Sequence, residues 1–472
     1  MNYTYGIMKS NQPPILSLPD ELLDNILSAV CSIDDDRTRS YINPTHAPSI
    51  LCLVCRRFYH IAVSYLYTNL RIDTRFTDYP QKGIAKDPRL VHKCCSQNPS
   101  IWRLCRRLRL SCDPYRPDPI ANRCACDIFL DFTTWFTQAK SFDLYGPWED
   151  QKTWNVLRSA LANFSDLTEL SMRDSLELGK VVDTLGDMRA STIQSLTLDG
   201  ISTDLDPLEC SQLEAQAGTA SFKTLKLRDF LQTPEVMEAL VKWPHTLESF
   251  DLHFTFGACY SKAGLYEDWS LATLQPILAI HRSTLRSISI RCINSGGLSG
   301  FDMRAFPRLE ELCLSKGATS PHYRDSLIHA NLIPNLIAPQ LRIFHWDMTL
   351  EDQQCMETLY CLQDEEENFL RAIAHAAIEA KVPLRMLRVT YEPDTWLKNE
   401  IGYPWDRLDA LGREPELLAA GIRVCYNTPN IRREEFEKKI EEIREREEKK
   451  RTRQTTPWSL AEDGGENTLA TV

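Results

Sequence analysis

Long apolar runs are missing from this sequence: nowhere do about 18 apolar residues stand together, the least that suggests a membrane-spanning helix. The opening stretch MNYTYGIMKSNQPP also lacks the basic start and apolar centre of a secretory signal. Both absences predict a soluble protein of the cytoplasm, the nucleus or both. An excess of positive charge is missing too. Sixty-five acidic residues against 54 basic ones leave a formal net charge of -11, whereas nucleic-acid phosphates demand a basic surface. Neither nucleic acid nor membrane is therefore expected as a partner. Catalytic signatures are equally absent: there is no G-x-x-x-x-G-K-S/T phosphate loop, no G-x-G-x-x-G, no G-x-S-x-G elbow and no H-E-x-x-H. No catalytic residue, cofactor or metal is predicted. Cysteine is plentiful at sixteen residues, but its spacing is not that of a metal site. Cys52 and Cys55 form one C-x-x-C without a second pair, and Cys94 with Cys95, or Cys124 with Cys126, lack knuckle spacing. Free thiols acting as small buried hydrophobes are expected.

At 472 residues the chain predicts about two to four domains or one extended repeat array. Its first part is helical. ILSLPDELLDNILSAV sets Pro19 at a helix start, where its missing amide hydrogen costs nothing, with Asp20 and Glu21 facing the positive helix end. Leu22, Leu23, Ile26, Leu27 and Val30 follow as a broad apolar stripe that must be buried against something. From Cys31 to Pro48 the residues turn polar, with Asp34, Asp35, Asp36, Asn43, Pro44 and Pro48, which predicts a loop. Ser49 is the expected cap of a second helix, ILCLVCRRFYHIAVSYLY, whose Leu51, Val54, Cys55, Phe58, Ala62 and Leu66 share a face. A break is expected near Phe58 to His60.

Two or three short amphipathic helices bury little surface by themselves, so their leftover apolar area invites a partner. LSLPDELLDNIL, LCLVCRRFYHIA and the closing YLYTNL together resemble the F-box, over roughly Ile15 to Leu70. The resemblance implies a helical module that docks on the Skp adaptor and, through it, on a cullin scaffold carrying the ubiquitin-transfer machinery. Matched position by position, it implies Leu18, Pro19, Leu22, Leu23 and Ile26 as docking residues, with Val54, Cys55 and Phe58 contributing from the second half. The polar insert from Ile33 to Pro48 is longer than the usual F-box linker. Lengthening a surface loop costs only about 0.6 kcal/mol per doubling.

After residue 100 the pattern apolar-x-x-apolar-x-apolar recurs. Its clear copies are LTELSM from Leu167, IQSLTL from Ile193, FKTLKL from Phe222, LESFDL from Leu247, LRSISI from Leu285, LEELCL from Leu309, LRIFHW from Leu341 and LRMLRV from Leu384. Weaker ones begin at Cys105, Ala139 and Ala419. The last three residues of each copy alternate as a half-buried strand requires, and helix-like stretches such as TWNVLRSALANFSD and PEVMEALVKWP lie between. This resembles the leucine-rich repeat of F-box proteins, with insertions from Phe254 to Ser283 and from Thr349 to Val382.

Three stretches are strongly charged. Arg103, Arg106, Arg107 and Arg109 alternate with leucines as on a strand's solvated face. The acidic run with Glu351, Asp352, Glu357, Asp364, Glu365, Glu366 and Glu367 predicts a solvated helix, with contact to a basic partner segment as the alternative. After Asn430 the chain predicts an exposed or partly docked charged helix dissolving into a polar end.

The fold class expected is α/β: a small all-helical F-box followed by an irregular leucine-rich repeat solenoid with parallel strands and outer helices. Its domains would be a tail over 1–14, the F-box over 15–75, the solenoid over 76–430 and a charged tail over 431–472. The expected function is a noncatalytic adaptor that docks on the Skp protein and recruits a target for ubiquitination through the solenoid. The alternatives are a scaffold using an F-box-like module outside ubiquitination and an enzyme of unrecognised type.

Overall fold

A strand turns alternate side chains to one face, so apolar residues two apart can face the core together. In the computed structural model such pairs stack in register from strand to strand. Leu108 and Leu110 lie opposite Phe142 and Leu144, then Leu170 and Met172, Leu196 and Leu198, and onward to Phe344 and Trp346 and to Leu387 and Val389; all are buried. The structure describes residues 14–36, 47–73, 88–112, 125–187, 192–201, 207–254, 269–291, 293, 297–319, 330–349, 362–391, 402–429 and 431–455.

The strands form one parallel sheet of twelve in strict chain order: β1 (Asn69–Asp73), β2 (Arg107–Ser111), β3 (Ser141–Tyr145), β4 (Glu169–Leu176), β5 (Ser195–Ile201), β6 (Thr224–Arg228), β7 (Ser249–His253), β8 (Ser287–Arg291), β9 (Glu311–Ser315), β10 (Ile343–Asp347), β11 (Met386–Thr390) and β12 (Arg423–Tyr426). Parallel neighbours need a crossover between them. Helices such as Gln151–Asn163, Pro234–Lys242, Leu271–Ala279 and Asp364–Glu379 lie in the crossovers. Their starts are locally encoded: the Asp150 side chain accepts the Lys152 N–H at 2.9 Å, and Ser270 Oγ accepts the Thr273 N–H at 3.0 Å. One continuous apolar core runs from Leu70 to Ile422.

All eight clear copies of the repeat become strands, and so do the weaker ones at Cys105 and Ala139. The copy at Ala419 enters its strand later, at Arg423, because a short helix, Pro415–Ala419, ends there. The strand β1 was not expected: its Leu70 and Ile72 alternate inward opposite Leu108 and Leu110 and extend the sheet into the F-box-like segment.

The helical segment also differs in detail. Helix α1 spans Asp20–Asp36, beyond the polar turn expected from Cys31, since no proline interrupts the chain before Pro44. Helix α2 (Ala47–Val54) starts before Ser49, which is therefore inside it and not its cap. The break before α3 (Arg56–Thr68) falls at Cys55, whose extended backbone (φ -163°, ψ 169°) separates the helices; Phe58 to His60 continue as helix. Within the first insertion, Leu271–Ala279 is helical and 255–268 lies outside the described residues.

The acidic run does form a helix, and it is solvated only in part. Glu351, Asp352 and Glu357 lie outside the described residues, and in the helix Asp364–Glu379 the acids Asp364 and Glu365 are exposed while Glu366 is buried and Glu367 half-buried. Asp364 and Glu367 pair with Arg407 at 2.6 and 3.2 Å, and Glu367 with Arg371 at 2.6 Å. Glu366 is buried, reaching Lys316 at 2.6 Å and accepting the Gln363 N–H at 2.8 Å. In the C-terminal helix Arg433–Thr455, Phe436 and Ile440 are buried against Tyr403 and Ile431. Lys449 and Arg451, in its last turns, are exposed, and 456–472 lies outside the described residues.

Candidate partner interface

Helices α1, α2 and α3 touch pairwise around a small core of Leu23, Leu27, Phe58 and Ala62, separate from the core of the sheet. Leu23 and Leu27 are four apart on one line of α1, and Phe58 and Ala62 four apart on α3, so two matched stripes close on each other. Polar contacts fix the approach. The Arg57 guanidinium donates to Asp20 Oδ1 at 2.7 Å and to the Leu18 carbonyl at 2.5 Å, and Tyr65 donates to Asp24 Oδ1 at 2.7 Å. Helix α3 then passes directly into β1.

This arrangement divides the eight residues implied by the F-box resemblance. Leu23 and Phe58 are buried within the cluster's own core, at 0% and 5% exposure, and hold the helices together. Leu18 and Cys55 are half-buried against that core. Pro19, Leu22, Ile26 and Val54 are exposed. Leu22, Ile26 and Val30 form a second line along α1, turned away from Leu23 and Leu27.

Sequence reasoning missed neighbours of that exposed set. Ile50, Leu53 and Val54 make an outward stripe on α2, with Leu53 at 87% exposure. A signal was present: APSILCLV is apolar nearly all round, and a helix packed along one side cannot bury every face. Eight of the twelve large exposed hydrophobics among the described residues lie between Ile15 and Tyr59, so the apolar surface is concentrated on this module.

Elsewhere, charged side chains pair with one another across the sheet. The open face of the sheet carries ion pairs from strand to strand: Asp143 binds Arg109 at 2.6 Å and Arg173 at 3.0 Å, and Arg291 reaches Asp251 at 3.3 Å and Asp347 at 3.6 Å. Burial, then the nearby Arg291 and Arg228, pushes the His253 imidazole down to about 4, which keeps it neutral. The thiols of Cys105 and Cys313 are pushed up to about 12, first by burial, and so are not poised as nucleophiles. An open groove of about 360 Å³ crosses the starts of β4 to β8, lined by hydroxyl residues such as Ser195 and Ser249 and by charged ones such as Lys223, Glu248 and Arg286. Among the described residues, no three or more His, Cys, Asp or Glu side chains are grouped to hold a metal ion. Among those residues, too, no helix is long and apolar enough to cross a membrane.

When the chain is compared with known proteins, no protein-family model matches it and no curated protein matches it.

Proposed function

We propose that this chain is a noncatalytic substrate adaptor of a Skp–cullin–F-box ubiquitin ligase. In this reading residues from about Ile15 to Leu70 are an F-box that docks on the Skp adaptor, and the twelve-strand array is a leucine-rich repeat solenoid that holds a target protein. The observation that carries the reading is the pair of outward apolar stripes, Leu22, Ile26 and Val30 on α1 and Ile50, Leu53 and Val54 on α2. Both lie on a three-helix cluster whose sequence resembles the F-box. Exposed apolar side chains concentrated in one place favour a protein partner, and burying each is worth roughly 1.5 to 3 kcal/mol. The ubiquitin-transfer chemistry then resides in partner subunits.

The test is copurification of the full chain with the Skp protein, comparing the native sequence with Leu22→Asp plus Val54→Asp. Both side chains are exposed, so the variant should fold while losing the complex. A folded variant that still copurifies with the Skp protein refutes the docking. Skp binding without any cullin in the native complex points instead to a scaffold outside ubiquitination.

A further inference from the structure

Just before or at the start of each strand stands a residue whose backbone N–H bonds to its predecessor on the neighbouring strand. Glu248 donates to the Lys223 carbonyl at 2.8 Å, Arg286 to Glu248 at 2.7 Å, Glu310 to Arg286 at 2.8 Å and Arg342 to Glu310 at 2.8 Å; Arg385 then donates to Arg342 at 2.9 Å, and Arg423 to Arg385 at 2.9 Å. These bonds make a rail along one edge of the sheet. Neighbouring members are held near the interstrand spacing of about 4.8 Å.

From Lys223 to Arg342 charge alternates along the rail and neutralises itself. Lys223 pairs with Glu248 at 2.9 Å, and Glu310 stands between two arginines, 2.7 Å from Arg286 and 3.4 Å from Arg342. At β11 the alternation stops, and three arginines follow one another: Arg342, Arg385 and Arg423. Arg385 and Arg423 are exposed and have no acidic partner among the described residues. Like charges on adjacent strands repel.

We propose that Arg342, Arg385 and Arg423 bind an acidic, extended segment of a partner polypeptide, laid across the ends of β10 to β12. The segment's carboxylates supply the negative members that the rail lacks there. Glu310 is the internal template, a carboxylate shared by guanidiniums on the strands to either side. Guanidinium stays charged and presents parallel donors that match a carboxylate's two oxygens. A chain of net charge -11 repels an acidic segment in general, so the attraction must be local to this row. In the adaptor reading the segment belongs to the recruited target. The site does not depend on that reading, because peptide binding is measured without any ligase subunit.

The probe is fluorescein-labelled hexaglutamate, titrated with the full chain at low ionic strength and followed by fluorescence anisotropy. Saturable binding is expected, falling steeply with salt and weakened about tenfold or more in Arg385→Glu plus Arg423→Glu. Arg158→Glu plus Lys226→Glu is the control: it changes net charge equally, at exposed cations away from this row, and should leave affinity within about twofold. Should the first pair fail to fold by circular dichroism, Arg385→Gln plus Arg423→Gln replaces it, with a smaller loss expected. Absence of saturable binding, or equal weakening by both charge-reversed pairs, overturns the proposal.

Discussion

Replacing Leu23 with Ala should melt the helical cluster while leaving the sheet folded. The cluster's fully buried core has three large members, Leu23, Leu27 and Phe58, besides Ala62. At roughly 1.5 to 3 kcal/mol for each large side chain, their burial contributes about 5 to 9 kcal/mol before chain entropy is charged against it. Truncating a buried leucine to alanine costs about 2 to 5 kcal/mol. At mid-range values one substitution thus removes about half of what closes the three helices, and so small a core has little left to absorb the loss. The sheet should be spared, because its core is a separate cluster extending through twelve strands. Hydrogen–deuterium exchange read by peptide is the assay. Peptides within 20–36 and 56–68 should lose protection, while those of β7 to β10 keep theirs. Leu22→Ala, on the outward stripe, should change neither. Unaltered protection of α1 and α3 in Leu23→Ala, or an equal loss in the sheet, would show that the cluster and the sheet do not have separate cores.

Two further perturbations probe the buried polar groups. The folded-state pKa of His253, about 4, lies below its ordinary 6.5, so the unfolded chain takes up the proton first. Stability should therefore fall as pH drops from about 6.5 to 4 and level off below, a loss of ~3 kcal/mol from this group. Urea melts across that window should show a shallower decline in His253→Gln, and identical slopes would count against the assignment. At the buried Glu366, substitution by Ala strands the Lys316 ammonium and the Gln363 N–H together. A cost of about 3 kcal/mol is expected in thermal or urea melts, whereas a change below about 0.5 kcal/mol, typical of surface substitutions, would mean that solvent already satisfies both.

The sheet was legible because its code is local. Pairs such as Leu196 with Leu198 and Phe250 with Leu252 carry the strand period in themselves, and stacking in register follows from repeating it. The strand β1 escaped notice because its NLRID follows directly on the helical run of α3, where helical spacing dominates the pattern. The break at Cys55 was misjudged for a related reason: Val54, Cys55 and Phe58 keep helical spacing across it, so no apolar signal marks the interruption. The candidate interface was legible only in part. Spacing grouped Leu22 with Leu23, but which of two apolar lines turns inward depends on where α3 lies, and only the packed helices decide that. The charged rail was invisible for the opposite reason, since Glu310, Arg342, Arg385 and Arg423 are neighbours only across strands.

As proposed, α1 and α2 form a docking surface for the Skp protein. Its most direct measurement is hydrogen–deuterium exchange of the purified full chain with and without purified Skp protein. A stoichiometric complex is expected, with new protection confined to the helices that carry Leu22, Ile26, Val30, Ile50, Leu53 and Val54. No complex at micromolar concentrations, or protection appearing on the sheet and not on these helices, would contradict it.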